Sequence, residues 1–319
     1  MMRFRFVPDT TDLPFMKWRK IAFVISVAAV ALSVALFLVR GLNYGIDFRG
    51  GILIEVKVPE VTDLAIMRAN LDGLGLGEVA LQEFGAPDDI LIRVERQDGG
   101  DAEQQKAVAL VKQALAAQFG ADLDYRRTES VGPKVGDELI VAGVKAVVFA
   151  LLAMMAYIWF RFEWQFALGA VVALVHDVVL TIGLFAATGM EFNLSTVAAI
   201  LLIVGYSIND TVVVYDRVRE NLRKYKKLSI VALLTRSIND TLSRTMMTSI
   251  TTLLALVALY LLGGAVIADF SFAMIWGVLI GTYSSIFIAA PLLILMNVRQ
   301  AGKRAEPEEA AAADTSRDG

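Results

Sequence analysis

The stretch AILLIVGYSINDTVVVYD, Ala199–Asp216, decides the class of this protein. Most of it is apolar enough to lie in hydrocarbon, yet Ser207, Asn209, Asp210 and Thr211 interrupt it. A carboxylate in such a run is expensive unless it is paired, hydrated or protonated, so it marks function if the run crosses a membrane. The pentapeptide SINDT recurs at Ser237–Thr241, in a polar approach to another apolar run.

The rest of the chain supports a membrane setting. It has 319 residues, 56% of them hydrophobic, with a positive mean hydropathy. Six stretches are long enough to span a bilayer as helix, which takes ~20 residues. They are Ile21–Val39, Leu139–Phe160, Phe166–Thr188, Leu194–Tyr215, Met246–Leu262 and Phe270–Val298. Cysteine is absent and His176 is the only histidine, which excludes disulfides, thiolate metal sites and multi-histidine motifs such as HExxH. No cofactor is expected.

Charge sets the topology. Met1–Lys20 carries five Lys/Arg and Asp216–Ser237 carries seven, whereas Gly189–Asn193 and Gly263–Asp269 carry none. The positive-inside rule then places both termini in the cytoplasm, as six spans require. The first run is longer than a signal-peptide core and no A-x-A site follows it before Arg40, so it reads as an uncleaved anchor. The organisation expected is a cytoplasmic N-terminus (1–20), a first span (21–39), an external domain (40–138), a five-span bundle (139–298) and a disordered cytoplasmic tail (299–319).

The external domain reads element by element. Gly51–Val58 is a strand by its β-branched residues; Val61–Gly75 is a helix with Thr62 or Asp63 as N-cap. Glu78–Gly85 and Asp88–Arg96 are strands joined by a turn containing Pro87, Ala102–Gly120 is an amphipathic helix, and ADLDYRRTESVG supplies a last strand. The order β-α-β-β-α-β is that of a ferredoxin-like split βαβ unit. Its acids are spread over strands and turns, as on a solvated face, and form no catalytic constellation.

GIDFRGG, Gly45–Gly51, stands at the mouth of this domain. Its glycines around Asp47 and Arg49 suit a tight, ordered turn outside the membrane. With SVGPKVGDEL (Ser130–Leu139), ALVHDVVLTIG (Ala173–Gly183), GYSINDTVVVYDRVREN (Gly205–Asn221) and TLSRTMMTSITTLL (Thr241–Leu254), it resembles the SecF family, the smaller of the paired SecD and SecF translocation subunits. The resemblance covers nearly the whole chain except the tail. It implies a polytopic α-helical protein of the RND superfamily, one six-helix half with a ferredoxin-like α+β periplasmic domain inserted after the first helix. In such a protein GIDFRGG is the motif that leads into the periplasmic domain, with Gly45, Asp47, Arg49, Gly50 and Gly51 as its marked residues. The implied setting is the bacterial inner membrane. The implied partners are SecD, the SecYEG channel, YajC and YidC as further neighbours, and the translocating preprotein, without nucleic acid. The implied work is to use the proton-motive force to assist export.

Asp210 lies about 15 residues into a span entered near Leu194, so roughly 22 Å deep. A carboxyl held there can load and release a proton as its access changes; the plainer reading is a protonated or hydrogen-bonded residue that holds helices together. Arg244 lies 19 residues before Gly263, roughly 28 Å from that end, at a depth comparable with Asp210. In the resembling family the Asp and Arg of these motifs serve proton conduction, and they map onto Asp210 and Arg244, with Asn209 beside them. Asp240 stands four residues before Arg244 and offers it a local partner, so Arg244 has two candidate mates. His176 and Asp177 fall mid-way along the third span, as a relay or as a buried structural pair. Asp216, Arg217 and Arg219 read as interface anchors. The hydroxyl run Thr241, Ser243, Thr245, Thr248, Ser249, Thr251 and Thr252 suits close helix packing or a hydrated path equally.

Two other classes fit less well. Half of a small-molecule RND-type proton-coupled exporter would share the architecture but usually carries larger external insertions. An intramembrane aspartyl protease would use Asp177 and Asp210, but its GxGD context is absent, and with no GxSxG motif or metal set an enzyme is not expected.

Overall fold

Helix α1 (Arg19–Arg40) is apolar along its length and ends at Gly41, whose φ of +69° breaks it. The structure, a computed structural model, describes residues 11–59, 63–77, 79–120, 123–131, 133–263 and 265–298. The expected disordered tail, Arg3 and Arg5 of the basic N-terminus, the alternative cap Thr62 and the strand residue Glu78 lie outside the described residues.

After α1 come a two-residue strand β1 (Asn43–Tyr44), one helical turn α2 (Ile46–Arg49) and strand β2 (Gly51–Lys57). Helix α3 (Leu64–Asp72) follows, with the Asp63 carboxylate accepting the Ala65 N–H at 2.8 Å as its cap. Then come β3 (Val79–Phe84), β4 (Ala86–Val94), α4 (Asp101–Phe119) and β5 (Asp124–Val131). The sheet order is β3-β4-β2-β5 with every neighbour antiparallel, which is the ferredoxin-like arrangement. Alternation along β2 sends Ile52, Ile54 and Val56 to the helix-covered face, where Met67, Leu71, Val111 and Leu115 meet them. Leu53 and Leu91 point to the other face and cluster with Ile46.

One turn differs from expectation. The β3–β4 link is Gly85, at φ +84°, and Pro87 lies inside β4. The register shifts between Glu83 and Phe84, so Pro87 sits at an irregularity where its missing N–H costs no ladder bond.

The bundle continues with α5 (Pro133–Arg161), α6 (Trp164–Thr188), the short strand β6 (Glu191–Phe192), α7 (Leu194–Lys224) and α8 (Ile230–Leu262). It closes with α9 (Ala265–Ser284), a π-helical turn (Ser285–Ala289) and α10 (Ala290–Leu295). Six helical segments of the described residues are long and apolar enough to cross a membrane. Helix α7 is central and packs against α5, α6, α8 and α9. Gly281 permits the α7–α9 approach, since a Cβ there would come to 3.0 Å from Ser207 Cβ.

Two boundaries move. Helix α7 runs on past Tyr215 to Lys224, and α8 starts at Ile230 under a Ser229 cap rather than near Met246. These polar ends stay helical because they hold each other: Asn221 Nδ2 donates to Ser237 Oγ at 3.0 Å, and Arg217 pairs with Asp240. The sixth span is not one continuous α-helix. Pro291 removes the N–H that would bond to Phe287, and the wide π turn before it accommodates the break.

The open face of the sheet rests on the bundle. A cavity of about 50 Å³ lies between Ile46, Leu53, Leu91 and Glu129 on one side and Glu191, Asn193 and Asp269 on the other.

Candidate functional site

The first SINDT copy supplies three of the buried polar groups of α7, since Ser207, Asp210 and Thr211 are all buried. Asp210 is 2% exposed, and its Oδ2 has no hydrogen-bond partner among the described residues. The Thr282 hydroxyl of α9 and the Arg244 cation of α8 are the neighbouring groups that act on it. Thr282 Oγ1 lies 2.8 Å from Ser249 Oγ, which in turn accepts from the Tyr206 hydroxyl at 3.3 Å.

That cross-link fixes the level of the two helices. Asp210 is one turn farther than Tyr206 from the end of the bundle that carries the sheet domain, and Arg244 is five residues farther than Ser249, about 6 and 7.5 Å along antiparallel axes. The backbone positions of Asp210 and Arg244 therefore stand at about the same level of the bundle. Arg244 is exposed and forms no ion pair among the described residues.

The local rival does not form. Asp240 Oδ2 accepts from Arg217 Nε at 2.9 Å and from Asn221 Nδ2 at 3.1 Å, so α7 engages it across the helix pair and Arg244 has no bond to it. Arg217 is thus a tie between helices rather than a free interface anchor, while Asp216 lies 3.7 Å from Arg161. The second SINDT copy is a clamp throughout. Asn239 Oδ1 accepts the Leu13 N–H and its Nδ2 donates to the Leu13 carbonyl, both at 2.9 Å, holding the segment before α1.

Asn209 is exposed on α7 beside the buried Asp210. The hydroxyl run also resolves. Thr241, Thr248 and Thr251 bond back to carbonyls of their own helix, whereas Ser249 crosses to α9. Thr245 Oγ1 is buried without a partner among the described residues, one residue from Arg244.

His176 and Asp177 are joined to each other. His176 Nδ1 lies 2.9 Å from Asp177 Oδ1, and Asp177 Oδ2 accepts from Ser207 at 2.6 Å and from Ser284 at 2.8 Å. Asp177 is fully buried, so one carboxylate ties α6, α7 and α9 together three residues from Asp210 along α7 at Ser207. His176 stacks on Tyr283, whose hydroxyl donates to the Ala22 carbonyl of α1. The serines and threonine of TYSS, Thr282–Ser285, were not singled out from sequence, although a polar tetrapeptide inside the sixth apolar run was a readable signal.

The GIDFRGG turn makes the junction. Gly45 N–H donates to the Phe192 carbonyl at 2.9 Å, and β1 pairs in parallel with β6. Gly50 and Gly51 have φ of +72° and +118°, and a Cβ on Gly51 would stand 2.6 Å from the Val94 carbonyl oxygen. That position accepts only glycine. The Asp47 carboxylate accepts the Leu194 N–H at 2.9 Å, and Arg93 of β4 pairs with Glu191. Burial, and then the Arg49 guanidinium beside it, push Arg93 below the ordinary arginine range, against the opposing pull of Asp269.

The model of the family described as protein export membrane protein SecD/SecF, C-terminal, matches residues 111–299, and that of the SecD/SecF GG motif matches residues 35–58. The chain belongs to the SecD/SecF family. The GG-motif match contains GIDFRGG, and the C-terminal match contains Asp177, Asp210 and Arg244. Among the similar proteins is the protein translocase subunit SecF of Rickettsia rickettsii, 47% identical over 302 residues that cover 94% of this chain and 97% of that protein. The SecF of Rickettsia bellii is also 47% identical, over 91% of this chain and 95% of its own. The crystal structure of SecDF from Thermus thermophilus superposes with a TM-score of 0.81 at 33% identity, covering 91% of this chain and 39% of that one. A second SecDF crystal structure, in a super-membrane-facing form, gives 0.67 at 32% identity, over 94% of this chain and 40% of its own. The chain thus spans about two-fifths of the SecDF chains. It is a multi-pass membrane protein of the SecD/SecF type.

Proposed function

We propose that this chain is the SecF-type half of a SecDF-like accessory machine that draws on the proton-motive force to assist protein export. Asp210 carries the proton, and Arg244, in the same layer, sets its charge state. The observation that carries the reading is the buried Asp210 carboxyl, with one oxygen unpartnered among the described residues and the Thr282 hydroxyl and Arg244 cation as its neighbours. A group so placed is costly as an anion and can be stabilised as one when Arg244 swings toward it, which makes its proton exchangeable. Asp177 and His176 act beside it by fixing Ser207 and hence the setting of α7.

The wider reading follows the relatives. SecD supplies the second half, SecYEG the channel, a preprotein the load, and YajC and YidC are further neighbours. The membrane is the bacterial inner membrane, with both termini cytoplasmic and the sheet domain periplasmic, in keeping with the Lys/Arg bias of the loops. The role is that of a translocase subunit, without catalytic chemistry of its own.

The test is a translocation assay on inner-membrane vesicles with and without a proton gradient. Asp210→Asn and Arg244→Met are expected to lose the gradient-dependent stimulation and to keep the gradient-independent rate. Full stimulation in both variants would sink the assignment.

A further inference from the structure

The C-terminal ends of α1 and α6 meet the GIDFRGG turn around a cavity of about 360 Å³. Arg40 and Arg49 are its charged lining residues, and no carboxylate of the described residues lines it with them. The neighbouring acids are engaged elsewhere, Asp47 with the Leu194 N–H and Glu191 with Arg93. Arg40 donates an N–H to the Ala187 carbonyl at 3.2 Å, which seats it on the last turn of α6 and leaves the rest of its fork available. Arg49 is exposed and forms no ion pair among the described residues, and Arg93 feels it as a like charge.

Two guanidiniums on one cavity are the complement of a phosphodiester, whose oxygens accept charge-assisted bonds from planar N–H pairs. The level and the flank of the cavity say which phosphodiester. Arg40 ends a span, where hydrocarbon gives way to headgroups. Leu38 and Val39 beside it are 75% and 85% exposed, so the cavity opens next to apolar surface that acyl chains would cover. A zwitterionic headgroup would bring an ammonium up to two arginines with no carboxylate to receive it. A glycerol headgroup brings none.

We propose that Arg40 and Arg49 hold the phosphate of one anionic phospholipid, of the phosphatidylglycerol class, at the seat of the sheet domain. The leaflet is the outer one, a point that rests on the orientation proposed above. The bound anion offsets the charge that Arg49 turns on Arg93, and so favours the Arg93–Glu191 tie between sheet and bundle.

Native mass spectrometry of the full chain in mild detergent tests this, with phosphatidylglycerol, phosphatidylcholine and inorganic phosphate as probes. Phosphatidylglycerol is expected to be retained over phosphatidylcholine and to resist competition by inorganic phosphate. Arg40→Gln and Arg49→Gln should each weaken its retention by up to about fivefold, the scale of one exposed ion pair, and the double variant by more. Arg40→Lys should keep more lipid than Arg40→Gln, because the charge stays and only the fork is lost. Arg223→Gln, which removes an exposed cation near the other end of α7, should change nothing. Arg40 is exposed, so its variants carry the test if Arg49→Gln does not fold. Equal retention of phosphatidylcholine, displacement by inorganic phosphate, retention unchanged in the double variant, an equal loss in Arg223→Gln, or expulsion of the lipid by the bound partner subunit would each overturn the proposal. The readout does not involve translocation, so its failure leaves the role of Asp210 standing.

Discussion

The carboxylate of Asp47 accepts the backbone N–H of Leu194 at 2.9 Å, so the turn that opens the sheet domain also closes the first turn of the helix bearing Asp210. The first N–H groups of a helix lack internal partners and sit at the positive end of its dipole, which favours an anion there. Asn193 satisfies the N–H of Thr196 through a capping box, and Asp47 satisfies that of Leu194 from a distant part of the chain. Arg93 and Glu191 add a second tie one strand away. Any tilt of the sheet domain therefore pulls on the outer end of α7.

Asp47→Ala should cost about 1 kcal/mol, the usual worth of a cap, and should raise hydrogen exchange selectively at Leu194. Asp47→Asn keeps an acceptor and loses only the charge, so a smaller cost is expected, about 0.3–1 kcal/mol. Exchange at Leu194 unchanged in Asp47→Ala would show that the contact contributes nothing.

How much of this could be read from the chain differs by residue. Asp210 announced itself because an acid in an apolar run has few explanations, and Arg244 because its distance from Gly263 matched. The sheet order followed from period-two and period-3.6 patterns. Asp240 misled, because spacing of four on one helix is visible in sequence while Arg217, on the neighbouring helix, is not. Asp47 looked like turn chemistry alone, since nothing local points to an amide so far along the chain. His176 and Asp177 are about 100° apart on a helix, so the sequence leaves a relay and a buried structural pair equally open; the bond between them is the contact the second reading expects.

Asp240→Asn should leave gradient-dependent translocation intact, because Asp240 belongs to the inner clamp with Arg217 and Asn221. Its expected cost is at most about 1 kcal/mol of stability, as for a partly exposed pair. The measurement is the same vesicle assay beside detergent unfolding. Loss of proton dependence in Asp240→Asn would instead mean that Arg244 visits it.

Asp177→Ala leaves the hydroxyls of Ser207 and Ser284 and the His176 ring without their buried acceptor. The expected destabilisation is about 2–4 kcal/mol, read from unfolding in mixed detergent micelles. Asp177→Asn should recover most of it, since an amide oxygen still accepts from both serines. Equal losses in the two variants would mean that charge, not acceptance, is what the site needs.

The two glycines that close GIDFRGG are constrained for different reasons from those in open loops. Gly75 has φ +69° with open space within 4 Å of where a Cβ would stand, so Gly75→Ala should cost only the conformational term, about 1–2 kcal/mol. Gly51 adds a collision to its φ of +118°, because the Val94 carbonyl oxygen is itself committed to the β2–β4 junction. Gly51→Ala must therefore shift β2 against β4 and should cost more than about 3 kcal/mol. Since only Gly50 separates β2 from α2, that shift would also displace Asp47 from Leu194. Gly51→Ala should then raise exchange at Leu194 as Asp47→Ala does, whereas Gly75→Ala should not.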